Sequence, residues 1–206
     1  IVSNLKDDGY TCIAMHPYYE TGWSRNLVYP HIGFDEMHFI DYFDQTKILR
    51  EYITDQELYD KIIKRYENRK NNEKLFFMGI TMQNHGGYTE TYDNFPENYY
   101  KVGRSYTDAN QYLSLVHESD EAAKNLISYF SKVDDPVEII FFGDHQPSLN
   151  SNFYPILNGK GLTGLTEDEL EKLYTVPFFI WTNYDTPEET VDITSLSKLY
   201  FFFYLF

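Results

Sequence analysis

Val137-Glu138-Ile139-Ile140-Phe141-Phe142-Gly143-Asp144-His145 is an apolar run that ends abruptly in a glycine, a carboxylate and an imidazole. A continuous apolar run of this length, with few charges, suits a strand buried on both faces, as in a parallel sheet. Three more runs have the same form: Thr11–Met15, Leu75–Thr81 and Val176–Trp181. The first leads into His16, and the second into Gln83-Asn84-His85-Gly86-Gly87. Ligands of open parallel sheets bind beyond the carboxyl ends of the strands. Three successive candidate strands therefore deliver His16, His85 and His145 to one expected edge.

Helical patterns fill the intervals. Ile1–Asp8 reads as the tail of a helix. Thr54 with Glu57 three residues on is a capping-box signature; it opens Asp55–Asn68, where Leu58, Ile62, Ile63 and Tyr66 form an apolar stripe. Tyr106–Val133 is a longer helical stretch, with Tyr112, Leu115, Val116, Ala123, Leu126 and Ile127 as inward candidates. Thr166 and Glu169 repeat the capping signature before Leu170–Tyr174. Breaks fall between elements at Phe95-Pro96, Asp135-Pro136 and Asn158-Gly159-Lys160-Gly161. Alternating strands and helices predict an α/β fold, a mostly parallel sheet flanked by helices on both faces, in a single domain over 1–206. The ending Leu199–Phe206 is too short to span a bilayer and is expected to be a core-packed last element or a truncated helix.

A formal net charge of -15 argues against nucleic acid as a partner, because phosphate backbones are bound by Lys and Arg. An acidic protein that handles an anion then needs a local positive centre, either a metal or a focused Arg/His cluster. Aromatic residues reach 18%, with 20 Tyr, so many of these rings must sit on the surface or line clefts. The single cysteine, Cys12, lies in an apolar run and cannot form an internal disulfide; it reads as a small buried hydrophobe.

Asp144-His145 offers mixed oxygen and nitrogen ligands suited to Zn2+ or Mn2+, although two ligands do not complete a site. The competing reading has Asp144 capping the next turn and His145 facing solvent. His16-Pro17-Tyr18-Tyr19-Glu20-Thr21-Gly22-Trp23-Ser24-Arg25 precedes a helix expected through Val28 and His31, which Ser24 could cap. Arg25 supplies a fork of donors for phosphate or sulfate, with the Trp23 ring beside it. The alternatives are a core anchor for Trp23 and a surface cation for Arg25. His85, next to two glycines, could hold an anion or protonate a leaving oxygen. No Walker A loop, G-x-G-x-x-G, G-x-S-x-G or H-E-x-x-H motif occurs.

Taken in order, Gly9–Pro17 running on to Trp23-Ser24-Arg25, then Thr81–Tyr88, then Phe142–Pro147 resemble the extracellular catalytic domain of lipoteichoic acid synthases. These are phosphoglycerol transferases in the sulfatase branch of the alkaline phosphatase superfamily. The resemblance covers about residues 1 to 190 and corresponds to the C-terminal portion of that domain. It implies one divalent metal, Mn2+ first with Mg2+ or Zn2+ possible, with Asp144 and His145 among its ligands. It implies that His85, Trp23, Arg25 and His16 line the pocket for a glycerol-phosphate headgroup. The family often has an acidic residue two positions after His16, where this chain has Tyr18. A metal-binding Glu and a nucleophilic Thr are expected upstream of residue 1, so no residue here is assigned to either role. The sulfatase C/S-x-P-x-R motif is absent, and Cys12 is not that nucleophile. The implied activity is metal-dependent transfer of phosphoglycerol at the outer face of a bacterial membrane. The parent would be membrane-anchored and this chain soluble; the partner would be an anionic lipid headgroup or a phosphoglycerol polymer. A sulfuric or phosphoric ester hydrolase of the same fold and a non-catalytic anion-binding remnant are the alternatives.

Overall fold

The computed structural model describes residues 1–95 and 106–186. The ending Leu199–Phe206 and Pro96 of the Phe95-Pro96 break lie outside the described residues. The chain forms two compact units, Ile1–Ser128 and the residues after it.

The first unit runs α1 (Val2–Asp7), β1 (Tyr10–Met15), a 3-10 turn (Gly22–Ser24), α2 (Arg25–Ile32), β2 (Glu36–His38), β3 (Ile48–Leu49), β4 (Tyr52–Ile53), α3 (Asp55–Glu67), β5 (Lys74–Gly79) and α4 (Thr107–Phe130). The main sheet has the order β2-β1-β5, parallel throughout, with Met15 opposite both His38 and Gly79. The central β1 is covered on both sides, as its apolar run predicts. Cys12, Ile13, Ala14 and Met15 are at most 2% exposed. Cys12 and Ala14 pack with Val2 of α1, Tyr29 of α2 and Phe34. Cys12 is a free thiol, and burial pushes its pKa up. At the end of β5, a Cβ on Gly79 would meet Ile62 Cδ1 at 3.3 Å, so the missing side chain lets α3 approach. The short strand β2 carries no apolar run, and nothing in its local composition marks it.

Thr54 caps α3, its Oγ1 accepting from the Glu57 amide at 3.2 Å. The reciprocal half of the box is diverted, because Glu57 accepts instead from the Asp44 amide at 2.9 Å. In α4 the buried face is rotated from the expected one. Leu115 and Leu126 are buried, but Val116 is 38% exposed, and Gln111, Ser114 and Ser119 lie inside. The reason is polar: Gln111 and Ser119 meet polar groups already buried below them. Ser119 Oγ donates to Asp55 Oδ2 at 2.6 Å, and Gln111 Oε1 accepts from Arg50 at 3.1 Å.

Asp55 has no charged partner in this network, and burial pushes its carboxyl up to about 6 despite the Ser119 and Gln83 bonds. A carboxyl whose folded pKa lies above its unfolded value favours the fold below the unfolded pKa. That contribution is lost as pH rises through the folded value. Wild type should therefore lose about 2–3 kcal/mol relative to Asp55→Asn between pH 4 and pH 7. Denaturant titrations of both proteins across this range measure it, and a difference independent of pH would refute it.

At the other end of the sheet, Arg65 from the last turn of α3 bridges two carboxylates. Its Nη2 lies 2.8 Å from both Glu36 Oε1 and Glu73 Oε1. Glu73 also accepts from Thr11 Oγ1 at 3.0 Å. Glu36 opens β2, and Glu73 and Thr11 lie at the starts of β5 and β1, so one guanidinium ties the amino ends of three strands.

The second unit contains β6 (Glu138–Phe142), α5 (Tyr154–Asn158), α6 (Glu167–Glu171) and β7 (Phe178–Thr182). Here the expectation for Val176–Trp181 needs correcting. This strand runs antiparallel to β6, with Phe142 opposite Phe178 and Glu138 opposite Thr182. Val176 and Pro177 precede it; Pro177 has no N–H to give a ladder, and its carbonyl accepts from Gly143 N at 3.1 Å. The capping box at Thr166 forms in full, with Thr166 N donating to Glu169 Oε2 at 2.7 Å and Glu169 N to Thr166 Oγ1 at 3.4 Å.

Candidate functional site

In the first unit the carboxyl ends of β1 and β5 carry a cluster of rings. Immediately after β1, His16 is 1% exposed, and its Nδ1 lies 2.9 Å from the Ile80 carbonyl. A carbonyl only accepts, so Nδ1 holds the proton and Nε2 keeps its lone pair. That Nε2 is buried and has no hydrogen-bond partner among the described residues. Burial, with the Arg25 charge adding to it, lowers the His16 pKa to about 4, so the ring is neutral at physiological pH.

Above His16 stand Tyr18 and Trp23, each with its ring centroid 6.0 Å from the imidazole. Trp23 is not a core anchor: it is 59% exposed. Its backbone is left-handed at φ 51°, and Ser24 follows at φ 55°. Two consecutive non-glycine residues in this region are strained by roughly 1–2 kcal/mol each, and the turn they make stands the indole against its neighbours. Ser24 occupies the N-cap position of α2 but makes no side-chain cap bond, contrary to expectation. Arg25, the first residue of α2, lays its guanidinium 4.4 Å from the Trp23 ring centroid. Its Nε donates to Tyr29 Oη at 2.9 Å and its Nη1 to the Gly22 carbonyl at 3.2 Å. These bonds fix the fork in place, so Arg25 is not a loose surface cation.

The loop after β5 brings His85 to the same cluster, its ring 6.0 Å from Trp23 and 5.6 Å from Tyr52. Gly87 in this loop has φ 97°, which only glycine adopts without strain. The structure thus brings together His16, Trp23, Arg25 and His85, and adds Tyr18 and Tyr52. Tyr52 and its neighbour Arg50 carry no recognisable motif. A charged residue following Ile48-Leu49 was the one available hint, and it does not reveal what it touches.

In the second unit Asp144 and His145 follow β6 directly. Gly143 is needed for space rather than for a turn of unusual φ: a Cβ there would sit 3.3 Å from Val176 Cβ. Asp144 Oδ1 accepts from the His145 amide at 2.9 Å, a capping role within the turn. Both side chains are more than 70% exposed. His145 Nδ1 lies 2.8 Å from the Gln146 carbonyl, so Nδ1 donates to it and Nε2 is the nitrogen left facing Asp144. That Nε2 is 3.4 Å from Asp144 Oδ2. The pair offers one nitrogen and one oxygen donor, the mixed kind that a divalent ion accepts. Among the described residues no group of three or more His, Cys, Asp or Glu is placed to hold a metal. No helix among them is long and apolar enough to cross a membrane.

Comparisons with known proteins bear on the family and the fold. The Sulfatase family profile matches residues 1–204. A putative cyclic beta-1,2-glucan modification protein of Rhizobium meliloti is 26% identical over 199 residues, which are 93% of this chain and 30% of that protein. The lipoteichoic acid synthase of Staphylococcus saprophyticus is 30% identical over 146 residues, 68% of this chain and 22% of that protein. The chain thus spans less than a third of the length of these relatives. The solved structure of the Streptococcus pyogenes phosphoglycerol transferase GacH, in complex with sn-glycerol-1-phosphate, has the same fold. Its TM-score is 0.63 at 24% identity, over 85% of this chain and 44% of that one. With a parallel sheet flanked by helices and a family match along nearly its whole length, the chain belongs to the Sulfatase family.

Proposed function

We propose that this chain is part of a metal-dependent phosphoglycerol transferase of the lipoteichoic acid synthase type, acting on anionic headgroups at the bacterial cell surface. The observation that carries the reading is the Trp23–Arg25–His85 cluster. It joins a fixed guanidinium, an exposed indole and an imidazole in one cluster of rings. Arg25 and His85 offer donors to phosphoryl oxygens, which an acidic protein must concentrate locally. Trp23 and Tyr18 offer apolar faces to a glycerol backbone. His16 lies beneath them, and its unpaired Nε2 acceptor suits a hydroxyl or a water rather than an anionic oxygen.

Asp144 and His145 would supply two of the ligands for a divalent ion, Mn2+ by the resemblance. Such an ion lowers the pKa of a nucleophilic hydroxyl and stabilises charge on the phosphoryl oxygens. The residues of this chain do the rest: Arg25 orients the anion, His85 donates to it, and the ring wall limits water around it. Members of this superfamily are transferases or hydrolases, and the acceptor decides between them.

A substrate panel tests the reading. In a catalytically active protein that contains this chain, phosphatidylglycerol-type donors should be consumed and phosphoglycerol passed to an acceptor. Turnover of aryl sulfates or aryl phosphates, with phosphoglycerol lipids untouched, would replace the transferase with a hydrolase.

A further inference from the structure

We propose that the hairpin Ile48–Ile53 is a positioning device for His85: Arg50 holds the backbone of the His85 loop, and the Tyr52 hydroxyl donates to His85 Nδ1, so that the ring presents Nε2–H to its ligand. The inference rests on the reading of His85 as a residue that contacts an anionic substrate.

Arg50 lies at the tip of the hairpin between β3 and β4, which pair antiparallel through Ile48–Ile53 and Leu49–Tyr52. Its backbone is left-handed at φ 55°. That unusual conformation sends a long cationic side chain inward, where the residue is 4% exposed. A buried guanidinium needs acceptors, and here they come mostly from one loop. Nη2 donates to the carbonyls of Gln83 and His85 at 2.9 and 2.7 Å, and Nη1 to Gly87 at 3.4 Å and Gln111 Oε1 at 3.1 Å. The guanidinium also lies over the rings of Tyr52 and Tyr88, 5.7 and 5.3 Å from their centroids. Three of these four hydrogen bonds therefore end on backbone carbonyls at or around His85. A fold that only needed to neutralise this charge would use a carboxylate.

The loop is held from its other side as well. Gln83 is 1% exposed, accepting from the Asp55 amide at 3.1 Å and donating to Ser119 at 3.2 Å. Asn84 donates to Ser119 at 2.8 Å, and Tyr88 Oη donates to the Asn84 carbonyl at 2.7 Å. His85 is thus an exposed side chain on an immobilised backbone.

Two residues after Arg50, the Tyr52 hydroxyl lies 3.3 Å from His85 Nδ1. A phenol is the stronger acid of the pair and a neutral imidazole nitrogen the stronger acceptor. Burial, with Glu51 adding to it, raises the Tyr52 pKa, so the phenol keeps its proton. The favoured bond is O–H to Nδ1, which leaves the imidazole proton on Nε2. The opposite tautomer would aim a lone pair at an anion. His16 and His85 then divide the labour, one neutral with its proton on Nδ1, the other a donor through Nε2.

The test does not depend on turnover. The protein is labelled with 15N-histidine, the His85 signals are assigned with His85→Gln, and ring nitrogen shifts are read where the imidazole is neutral. Wild type is expected as the Nε2–H tautomer, and Tyr52→Phe should shift His85 toward a mixture while His16 stays unchanged. Arg50→Lys keeps a cation but cannot reach several carbonyls, and should speed exchange of the His85 amide on the order of tenfold. An Nδ1–H tautomer in wild type, a Tyr52→Phe spectrum identical to wild type, or unchanged amide exchange in Arg50→Lys overturns the proposal. If these readouts behave as expected and the substrate panel fails, the hairpin's role stands and the transferase reading falls.

Discussion

His145→Ala, made in a catalytically active protein that contains this chain, is expected to abolish turnover, with kcat falling on the order of a thousandfold or more. The imidazole is the better defined of the two candidate ligands. Its Nδ1 is committed to the Gln146 carbonyl, which leaves Nε2 beside the Asp144 carboxylate. Alanine removes that nitrogen and leaves the carboxylate without its neighbour. Metal affinity should fall with activity, and calorimetry or a competing chelator reads that separately from kcat. His117→Ala is the control. This residue lies within α4, partly buried and remote in sequence from every candidate ligand, and its loss should change turnover by roughly twofold or less. Equal losses in the two variants would undo the assignment of the site.

Arg65→Ala carries the largest expected loss of stability, about 2–3 kcal/mol. Arg65 is 15% exposed and faces carboxylates that are 31% and 11% exposed. Removing it leaves Glu36 and Glu73 close together with no cation between them. The pH dependence supplies a second signature. Arg65 holds the Glu73 carboxyl down to about 2 and lowers that of Glu36. A carboxyl with a depressed folded pKa contributes stability above its unfolded value, near 4.5, that is lost as pH falls toward the folded one. The gap between wild type and Arg65→Ala should therefore be full at neutral pH and narrow below about pH 4. Denaturant titrations at several pH values measure both. A gap of the same size at pH 3 and pH 7 would show that Arg65 acts through the packing of its stem.

Features set by local composition are legible in the sequence. The apolar run of β1 is visible because this strand is covered on both faces, and Thr54 and Thr166 announce their helices because capping is a contact within one turn. The strand directions of β6 and β7 are not visible, since apolar runs look alike whether they pair parallel or antiparallel, and here neither strand is fully buried. The face of α4 misleads for a related reason. Polarity patterns assume that Gln111 and Ser119 seek water, and here they seek Arg50, Asp55 and Gln83. At the site, His16, Trp23, Arg25 and His85 can be picked out because they stand at strand ends or beside unusual turns. Arg50 and Tyr52 escape because their meaning lies in partners some 30 to 60 residues away.

The Arg65 bridge has a consequence for how such a domain can change over time. It fastens the amino ends of β1, β2 and β5, while the rings of the candidate site gather at the carboxyl ends of β1 and β5. Cohesion and chemistry are thus lodged at opposite poles of the same sheet. Substitutions at the ring-bearing pole can reshape that surface without weakening the bridge that keeps the sheet together. A lineage descending from this chain could exchange Tyr18 many times before it had to touch Glu36, Arg65 or Glu73.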